Sequence, residues 1–364
     1  MIKTITGFQL YTTMVMFLLG SAILINPASD AGKDAWLSFL AGTTTGLLLF
    51  LLYSKLFARS SNMPLTSLFS LYWGNALGSF LTVIYVGYFV YMAARVLRDF
   101  EELLVISSYQ QTSLLTVGSA MMIAIIYALY KGFPVLARMT EVFIFFIIST
   151  LILLTFLLFI NGLPKMSNFS PFLENGLIPV FKGFFPQTLT IPFGELIAFT
   201  MLLPYVKTSD NIVKKGFYAI LSGGFILAAL SFLNTLVLGE SIAHRSAFPL
   251  LTTVGYINIA DFIQRLESLL IIIIVLLGFV KITIFIFCAV IGMRSLFTAS
   301  SQNSLIYPVC VTVLWLSLLI AGNHSAHIEE GLEAAPYFLH LPFQFVIPLL
   351  LLLTILFKQK KADH

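Results

Sequence analysis

The chain has 364 residues, of which 59% are hydrophobic and only 10% are charged. Soluble domains carry about 25% charged residues, so the composition excludes a water-soluble globular protein and indicates a polytopic membrane protein. The net charge of +4 belongs to loops between membrane segments and does not indicate nucleic-acid binding. Cys288 and Cys310 lie in apolar runs, which predicts small buried side chains and neither a disulfide framework nor a metal site.

Ten apolar runs approach the roughly 20 residues that a membrane-spanning helix needs, which predicts an all-α fold. In chain order they are Phe8–Asn26, Trp36–Leu56, Leu77–Leu97, Leu114–Tyr130, Val142–Ile160, Thr188–Val206, Phe217–Leu238, Leu266–Met293, Tyr307–Ala321 and Leu341–Phe357. Residues 161–185 contain three prolines among Gly, Ser and Asn, which predicts a long loop with room for a short surface helix.

This loop divides the ten predicted helices into five plus five. We expect one transporter-like domain over residues 1–364. Its inverted halves cover about 1–160 and 186–321, with loop 161–185 between them and helices 9 and 10 over about 305–357. With a cytoplasmic N-terminus, the inner side carries twelve Lys and Arg residues and the outer side seven. Positive charge is enriched on the cytoplasmic side of membrane proteins, so both termini are predicted to be cytoplasmic.

Two predicted helices are interrupted, and they open the two halves. Helix 1 contains "LLGSAIL" around Gly20, and helix 6 contains "IPFGELI", with Pro192, Gly194 and Glu195. Paired interruptions in inverted repeats point to a transporter-type binding site at the membrane midplane. For Gly20 alone, close packing against a neighbouring helix is the favoured interpretation. For the helix 6 stretch, a functional break is favoured over a kink with a structural salt bridge, because intramembrane charge is expensive.

The predicted ligand contacts therefore lie at these two interruptions. They are Gly20, Ser21, Ala22 and Ile23 in helix 1, and Pro192, Phe193, Gly194 and Glu195 in helix 6. Helix starts carry unpaired N–H groups and partial positive charge, so a ligand carboxylate is assigned to Ser21–Ile23. Glu195 is predicted to hold a ligand ammonium or hydroxyl when ionised, or to accept a proton during coupling.

Three further residues complete the predicted site. Lys281 lies near the centre of helix 8, too deep for an interfacial lysine, so it either takes the place of a transported sodium ion or pairs with Glu195. Tyr85 and Tyr88 share a face of helix 3, and each combines an apolar ring with a polar tip suited to a small ligand. Packing and interfacial positions are the common alternative for tyrosines.

Other polar residues receive structural interpretations. Arg95 with Asp99 and Arg98 with Glu102 have the i,i+4 spacing of helix pairs, which predicts ion pairs or a subunit contact at the outer end of helix 3. The histidines form no metal-ligand pattern, and we expect them to be solvated in outer loops, at a helix edge or at the chain end. They are His244, His324, His327, His340 and His364.

Four short motifs, in this order along the chain, resemble the spore germinant receptor B-subunit family. They are "GSAILINP" at Gly20–Pro27, "RDFEE" at Arg98–Glu102, "PFGE" at Pro192–Glu195 and "IQRLESLL" at Ile263–Leu270. That family belongs to the amino acid–polyamine–organocation transporter superfamily. The resemblance covers essentially the whole chain and implies a broken-helix 5+5 inverted repeat and a location in the bacterial spore inner membrane. It also implies A and C partner subunits and recognition of an amino acid, a sugar or a nucleoside.

Three function classes follow. The resemblance favours a sensing subunit that binds a germinant, an amino acid first, in a midplane cavity between helices 1, 3, 6 and 8 and signals to its partners. The alternative is a proton-coupled amino acid permease, since fold alone does not separate the two. An enzyme is the weakest interpretation, because the sequence has no phosphate-binding glycine loop, no nucleophile elbow and no intramembrane His/Asp cluster. No cofactor is predicted.

Overall fold

A computed structural model describes residues 4–59, 62–207, 210–258, 265–297 and 301–362, with side chains to residue 359. Ten of its helices are long and apolar enough to span a membrane. They are α1 Gly7–Ile25, α2 Ser29–Ala58, α3 Asn75–Ser107, α4 Leu114–Lys131, α5 Phe133–Ile160, α6 Ile178–Tyr205, α7 Ile212–Arg245, α8 Glu267–Leu296, α9 Gln302–Leu319 and α10 Pro336–Gln359. The predicted all-α membrane fold with ten spans is confirmed, whereas the inverted repeat stays a prediction.

Several spans begin earlier than the sequence pattern indicated, among them α2 at Ser29 and α5 at Phe133. Helix α6 starts at Ile178 and α10 starts at Pro336. Pro186, Gln187, Pro336 and His340, which the sequence pattern left outside the predicted spans, are buried. The first two residues of the motif Ile263–Leu270, and the terminal His364, lie outside the described residues. Within the described chain, the only extended pairing is an isolated bridge between Ile5 and Val206.

The interrupted spans lie at the centre of the bundle. Helices α1 and α6 are the most enclosed of the ten, while α4 and α9 expose most of their length. Helix α3 packs along α8, and α2 packs along α7. At the crossing of α2 with α6, a Cβ on Gly42 or Gly46 would lie within 2.7 Å of the Phe193 ring. Small residues allow this approach, as is common between membrane helices.

Helix α1 is interrupted at Gly20. Its first part ends at Leu19, and a short helical stretch, Ala22–Ile25, follows. Gly20 has φ 7° and ψ −119°, well away from helical values. A Cβ at Gly20 would overlap with Lys281 Cδ. The expected close packing at this glycine is therefore present, and its neighbour is a charged side chain.

Helix α6 is interrupted before each of its two interior prolines. Phe185 and Ile191 have extended backbones, with φ/ψ of −110°/123° and −120°/114°. Proline clashes with a helical residue before it and supplies no N–H, so both breaks follow from local sequence. The Tyr53 hydroxyl donates to the carbonyl oxygens of Gln344 and Gly194, at 2.8 and 3.3 Å. Such partners are required where irregular backbone lies at membrane depth.

Gly194 has a different role from the one that its sequence suggests. Its backbone is helical, with φ −67° and ψ −29°, so it does not supply an unusual conformation. A Cβ there would overlap with Gln344 Oε1. Gly194 is thus required by close packing against α10, and the break itself belongs to Ile191 and Pro192.

Candidate functional site

Lys281 lies where α1, α6 and α8 meet. Its side chain is fully buried, and Nζ lies 2.5 Å from Glu195 Oε2 in an ion pair. Nζ also donates to Ser21 Oγ at 2.9 Å and faces the Phe17 ring at 5.3 Å from its centroid. One ammonium therefore joins the interruption of α1 to the first helical turn after the break in α6. Because Gly20 has no side chain, the lysine has room to make these contacts.

A small cavity of about 20 Å³ adjoins this ion pair. Its polar wall consists of Ser21, Arg95, Asp99, Glu195 and His340, and the rest of the wall is mainly apolar. His340 Nε2 is buried without a hydrogen-bond partner among the described residues. The volume is sufficient for about one water molecule, so the cavity is occluded in this conformation. Groups of both charges around it are suited to a small polar solute with a donor end and an acceptor end.

The tyrosines of α3 anchor α10 instead of facing this cavity. Tyr85 donates to the Phe343 carbonyl at 2.7 Å. The Tyr88 hydroxyl lies 3.0 Å from His340 Nδ1 and accepts from Gln344 Nε2 at 2.9 Å. Tyr88 therefore orients the histidine that lines the cavity. A direct ligand contact for Tyr85 or Tyr88 stays a prediction.

The C-terminal part of α3 carries buried charges that pair with the chain between α9 and α10. Asp99 Oδ1 lies 2.8 Å from His327 Nε2. Arg95 donates to the His327 carbonyl at 2.5 Å and lies 3.3 Å from Glu330. The expected Arg95–Asp99 pair is therefore wrong for this conformation: each side chain finds a closer partner across the bundle.

The second expected pair on α3 is present. Arg98 Nε lies 2.6 Å from Glu102 Oε1, and Glu102 also contacts His324. The expectation of solvated histidines is wrong for His327 and His340, which are fully buried. Their carboxylate and hydroxyl partners come from α3, far away in sequence, so loop composition does not reveal their burial.

Comparison with known protein families identifies the chain. Residues 4–325 match the family model described as Spore germination protein (Spore_permease). The chain belongs to the spore germination protein family. Spore germination protein KB of Bacillus subtilis (strain 168) is 35% identical over 357 residues, which cover 98% of this chain and 95% of the relative.

Two more distant relatives from the same organism also match over most of their length. Spore germination protein YndE is 22% identical over 89% of this chain and 92% of its own. Spore germination protein A2 is 22% identical over 91% of this chain and 93% of its own. The family resemblance inferred from the motifs is therefore confirmed. This spore germination protein is an integral membrane protein with ten spans among its described residues, and its family is not a class of enzymes.

The predicted site residues of this spore germination protein fall into two groups. Ser21 and Glu195 line the cavity. Lys281 contacts both of them but is not itself part of the cavity wall. The others lie at or next to the two interruptions, and all are buried: Gly20, Ala22, Ile23, Pro192, Phe193 and Gly194. Their contact with a ligand stays a prediction.

Four residues in or beside the cavity were not singled out from the sequence as ligand contacts. Arg95 lies within a predicted span, and Asp99 follows just after it, so their cost in a membrane was a usable signal. His340 and Gln344 gave a weaker signal. The predicted helix 10 began at Leu341, so it left His340 outside the membrane segment and Gln344 inside it. Once α10 is seen to begin at Pro336, both are intramembrane polar residues. Among the described residues, no group of His, Cys, Asp and Glu could hold a metal ion.

Proposed function

We propose that this spore germination protein is the solute-sensing membrane subunit of a germinant receptor. It binds a small nutrient, an amino acid first, between α1, α3, α6 and α8, and passes a conformational signal to A and C partner subunits in the spore inner membrane. The observation that carries the proposal is the buried Lys281 ammonium, which bonds to Ser21 at the α1 interruption and pairs with Glu195 after the α6 break, beside a polar cavity.

The chemistry of the cavity supports an amino acid. Glu195 is the anionic group of the α6 wall and binds the solute ammonium, or a hydroxyl in a sugar or nucleoside. The solute carboxylate is assigned to the backbone at Ser21–Ile23, with Arg95 on the facing wall. Buried polar groups that lack a partner, such as His340 Nε2, discriminate strongly against solutes that do not satisfy them.

Signalling requires the cavity to change shape. At about 20 Å³ it does not hold an amino acid, so the bound state must differ from this occluded one. Solute drives the change only through a higher affinity for the expanded state. Because Lys281 contacts Ser21 and Glu195 together, a solute that displaces either contact moves α1 and α6 relative to α8, and this movement reaches the partners.

The experiment is binding of labelled L-amino acids, a labelled sugar and a labelled nucleoside to membranes that contain the receptor. We expect saturable binding of at least one solute, and its loss in Glu195→Gln at normal protein abundance. Lys214→Met, an exposed change on α7, serves as the control for unspecific loss of charge. Unchanged affinity in Glu195→Gln would assign Glu195 to the structure of the break alone.

Transport is tested separately. The chain alone is reconstituted in proteoliposomes, and uptake of the bound solute is followed with and without a proton gradient. A sensor shows binding without sustained flux. Robust substrate-driven uptake would replace the sensor with the alternative, a proton-coupled amino acid permease that uses the same cavity.

A further inference from the structure

A second and larger cavity lies next to the occluded one. This vestibule has a volume of about 420 Å³ and opens at the end of the bundle where α1 and α7 finish. It shares Ile25, Ile328 and Leu332 with the occluded cavity, and these three side chains form the partition between the two spaces. The vestibule is large enough for a small solute, whereas the occluded cavity has room for about one water molecule.

Two of the three partition residues belong to one segment. Ile328 and Leu332 lie in residues 324–334, which consist of the helix His324–Glu329 and the π-helical stretch Glu330–Ala334, and the helical backbone continues from there into α10. A Cβ on Gly331 in this stretch would overlap with Arg95 Nη2. The segment therefore lies directly against the charged part of α3, and its position decides whether the partition is closed.

Polar contacts hold the segment in this position. His327 is fixed twice, by its ring on Asp99 at 2.8 Å and by its carbonyl on Arg95 at 2.5 Å. Glu330 adds an ion pair to Arg95 at 3.3 Å, and its side chain is 43% exposed. These contacts are directional and charge-assisted. They are lost together when the segment leaves α3. The segment is therefore expected to occupy two discrete positions, bound to α3 or released from it, and no continuous range between them.

We propose that residues 324–334 form a lid over the solute cavity, latched to α3 through Arg95 and Asp99, and that solute enters from the vestibule. The proposal rests on the proposed function for the identity of the cavity. Arg95 and Asp99 also line that cavity, so a solute that bonds to either one competes with His327 or Glu330 for it. Binding of solute and the position of the lid are thereby coupled through the same two side chains.

The test measures access to the occluded cavity with a thiol reporter, without any need for a germinant. Val96→Cys places a thiol on the cavity wall, where the native side chain is only 2% exposed. The native cysteines, both fully buried, are replaced by alanine. The full chain in membranes is treated from the vestibule side with a membrane-impermeant quaternary-ammonium methanethiosulfonate. Ser29→Cys, a vestibule position, reports that the reagent reaches that side and normalises every rate.

Glu330→Gln is the latch variant, and Glu329→Gln is its matched control. Both remove one carboxylate charge from adjacent residues, but among the described residues only Glu330 pairs with α3. We expect Glu330→Gln to raise the normalised labelling rate of Val96→Cys by about two- to fivefold, the factor that corresponds to loss of one partly exposed ion pair. His327→Gln, the deeper variant, should raise it at least as much. Glu329→Gln should leave it unchanged.

Two outcomes overturn the lid. One is that, with Glu330 and His327 unchanged, Val96→Cys is labelled as fast as Ser29→Cys. That result would show that the cavity is already open. The other is an unchanged rate in both Glu330→Gln and His327→Gln while Ser29→Cys reacts normally. A germination dose–response of Glu330→Gln separates the two proposals. If Glu330→Gln speeds labelling of Val96→Cys but does not shift the sensitivity to germinant, the lid is supported and the cavity is not the sensing site.

Discussion

Lys281 and Glu195 form a fully buried ion pair, with 2.5 Å between Nζ and Oε2, that joins α8 to the interrupted helix α6. Ser21 Oγ accepts from the same ammonium. Three spans are therefore tied to a single charge. This arrangement makes separate predictions for stability and for response, since a buried charge without its partner destabilises the fold whatever the site binds.

Lys281→Met is expected to lower protein abundance, because it leaves Glu195 buried and unpaired. Removal of one partner of a buried pair costs about 3–5 kcal/mol, whereas replacement of both by apolar residues is often neutral. The double variant Lys281→Met/Glu195→Leu should therefore recover abundance while it stays unresponsive to germinant. Immunoblots of membranes and germination curves measure the two effects. Additive losses of abundance in the double variant would contradict a stabilising role for the pair.

Gly20→Ala is expected to disturb the same pair from the α1 side. The added Cβ would overlap with Lys281 Cδ and lie 2.7 Å from the Phe17 carbonyl oxygen, so the lysine must shift. Overpacking of this kind destabilises by about 1–3 kcal/mol. Gly87→Ala is the matched control, since nothing lies within 4 Å of its Cβ. Thermal unfolding of the purified variants should show a lower midpoint for Gly20→Ala only, and equal midpoints would mean that α1 adapts freely.

Gly194→Ala is expected to displace Gln344, because the added Cβ would overlap with Gln344 Oε1. The displaced amide also loses its hydrogen bond to Tyr88. Gly194→Ala/Gln344→Ala removes the clash, so part of the stability should return in the double variant. A double-mutant cycle on unfolding free energy measures this coupling. A coupling energy near zero would show that α6 and α10 do not meet at these two residues.

Gly194→Leu tests the same contact at its extreme. The larger side chain cannot be placed beside Gln344 without movement of α10 away from α6. We expect a chain that still assembles with its partners but no longer responds to germinant. Immunoblots of all subunits alongside germination dose–response measure this separation, and a normal dose–response would place the solute elsewhere.

Tyr88→Phe is expected to change specificity or sensitivity more than abundance. It removes the hydroxyl that contacts both His340 and Gln344, at a cost of about 1–3 kcal/mol for two hydrogen bonds. The cavity-lining His340 is then free to rotate. Tyr127→Phe, which alters an exposed tyrosine of α4, is the control. A shifted germinant dose–response in Tyr88→Phe alone would support the orienting role, and identical curves would oppose it.

Features that depend on composition and on neighbouring residues could be predicted from the chain alone. Ten apolar runs predicted the ten spans because backbone polar groups in lipid must be satisfied within a helix. The break at Ile191 was predictable from Pro192, since the clash of proline with the preceding residue is local. Lys281 in an apolar run required a partner because an intramembrane charge is costly without one.

The meeting of distant groups, in contrast, depends on how the helices pack. The packed bundle makes Glu195 and Ser21 the partners of Lys281. It also pairs Asp99 with His327, whereas the spacing along α3 had predicted Arg95 as the partner of Asp99. The bundle also places Gly194, a predicted ligand contact in the interrupted stretch of helix 6, directly against Gln344. Each of these pairings joins different parts of the bundle. The residue pattern of one helix does not show which residues of a neighbouring helix will lie against it. Burial of a charge can be inferred from a sequence as a requirement, but packing of the bundle determines which side chain satisfies it.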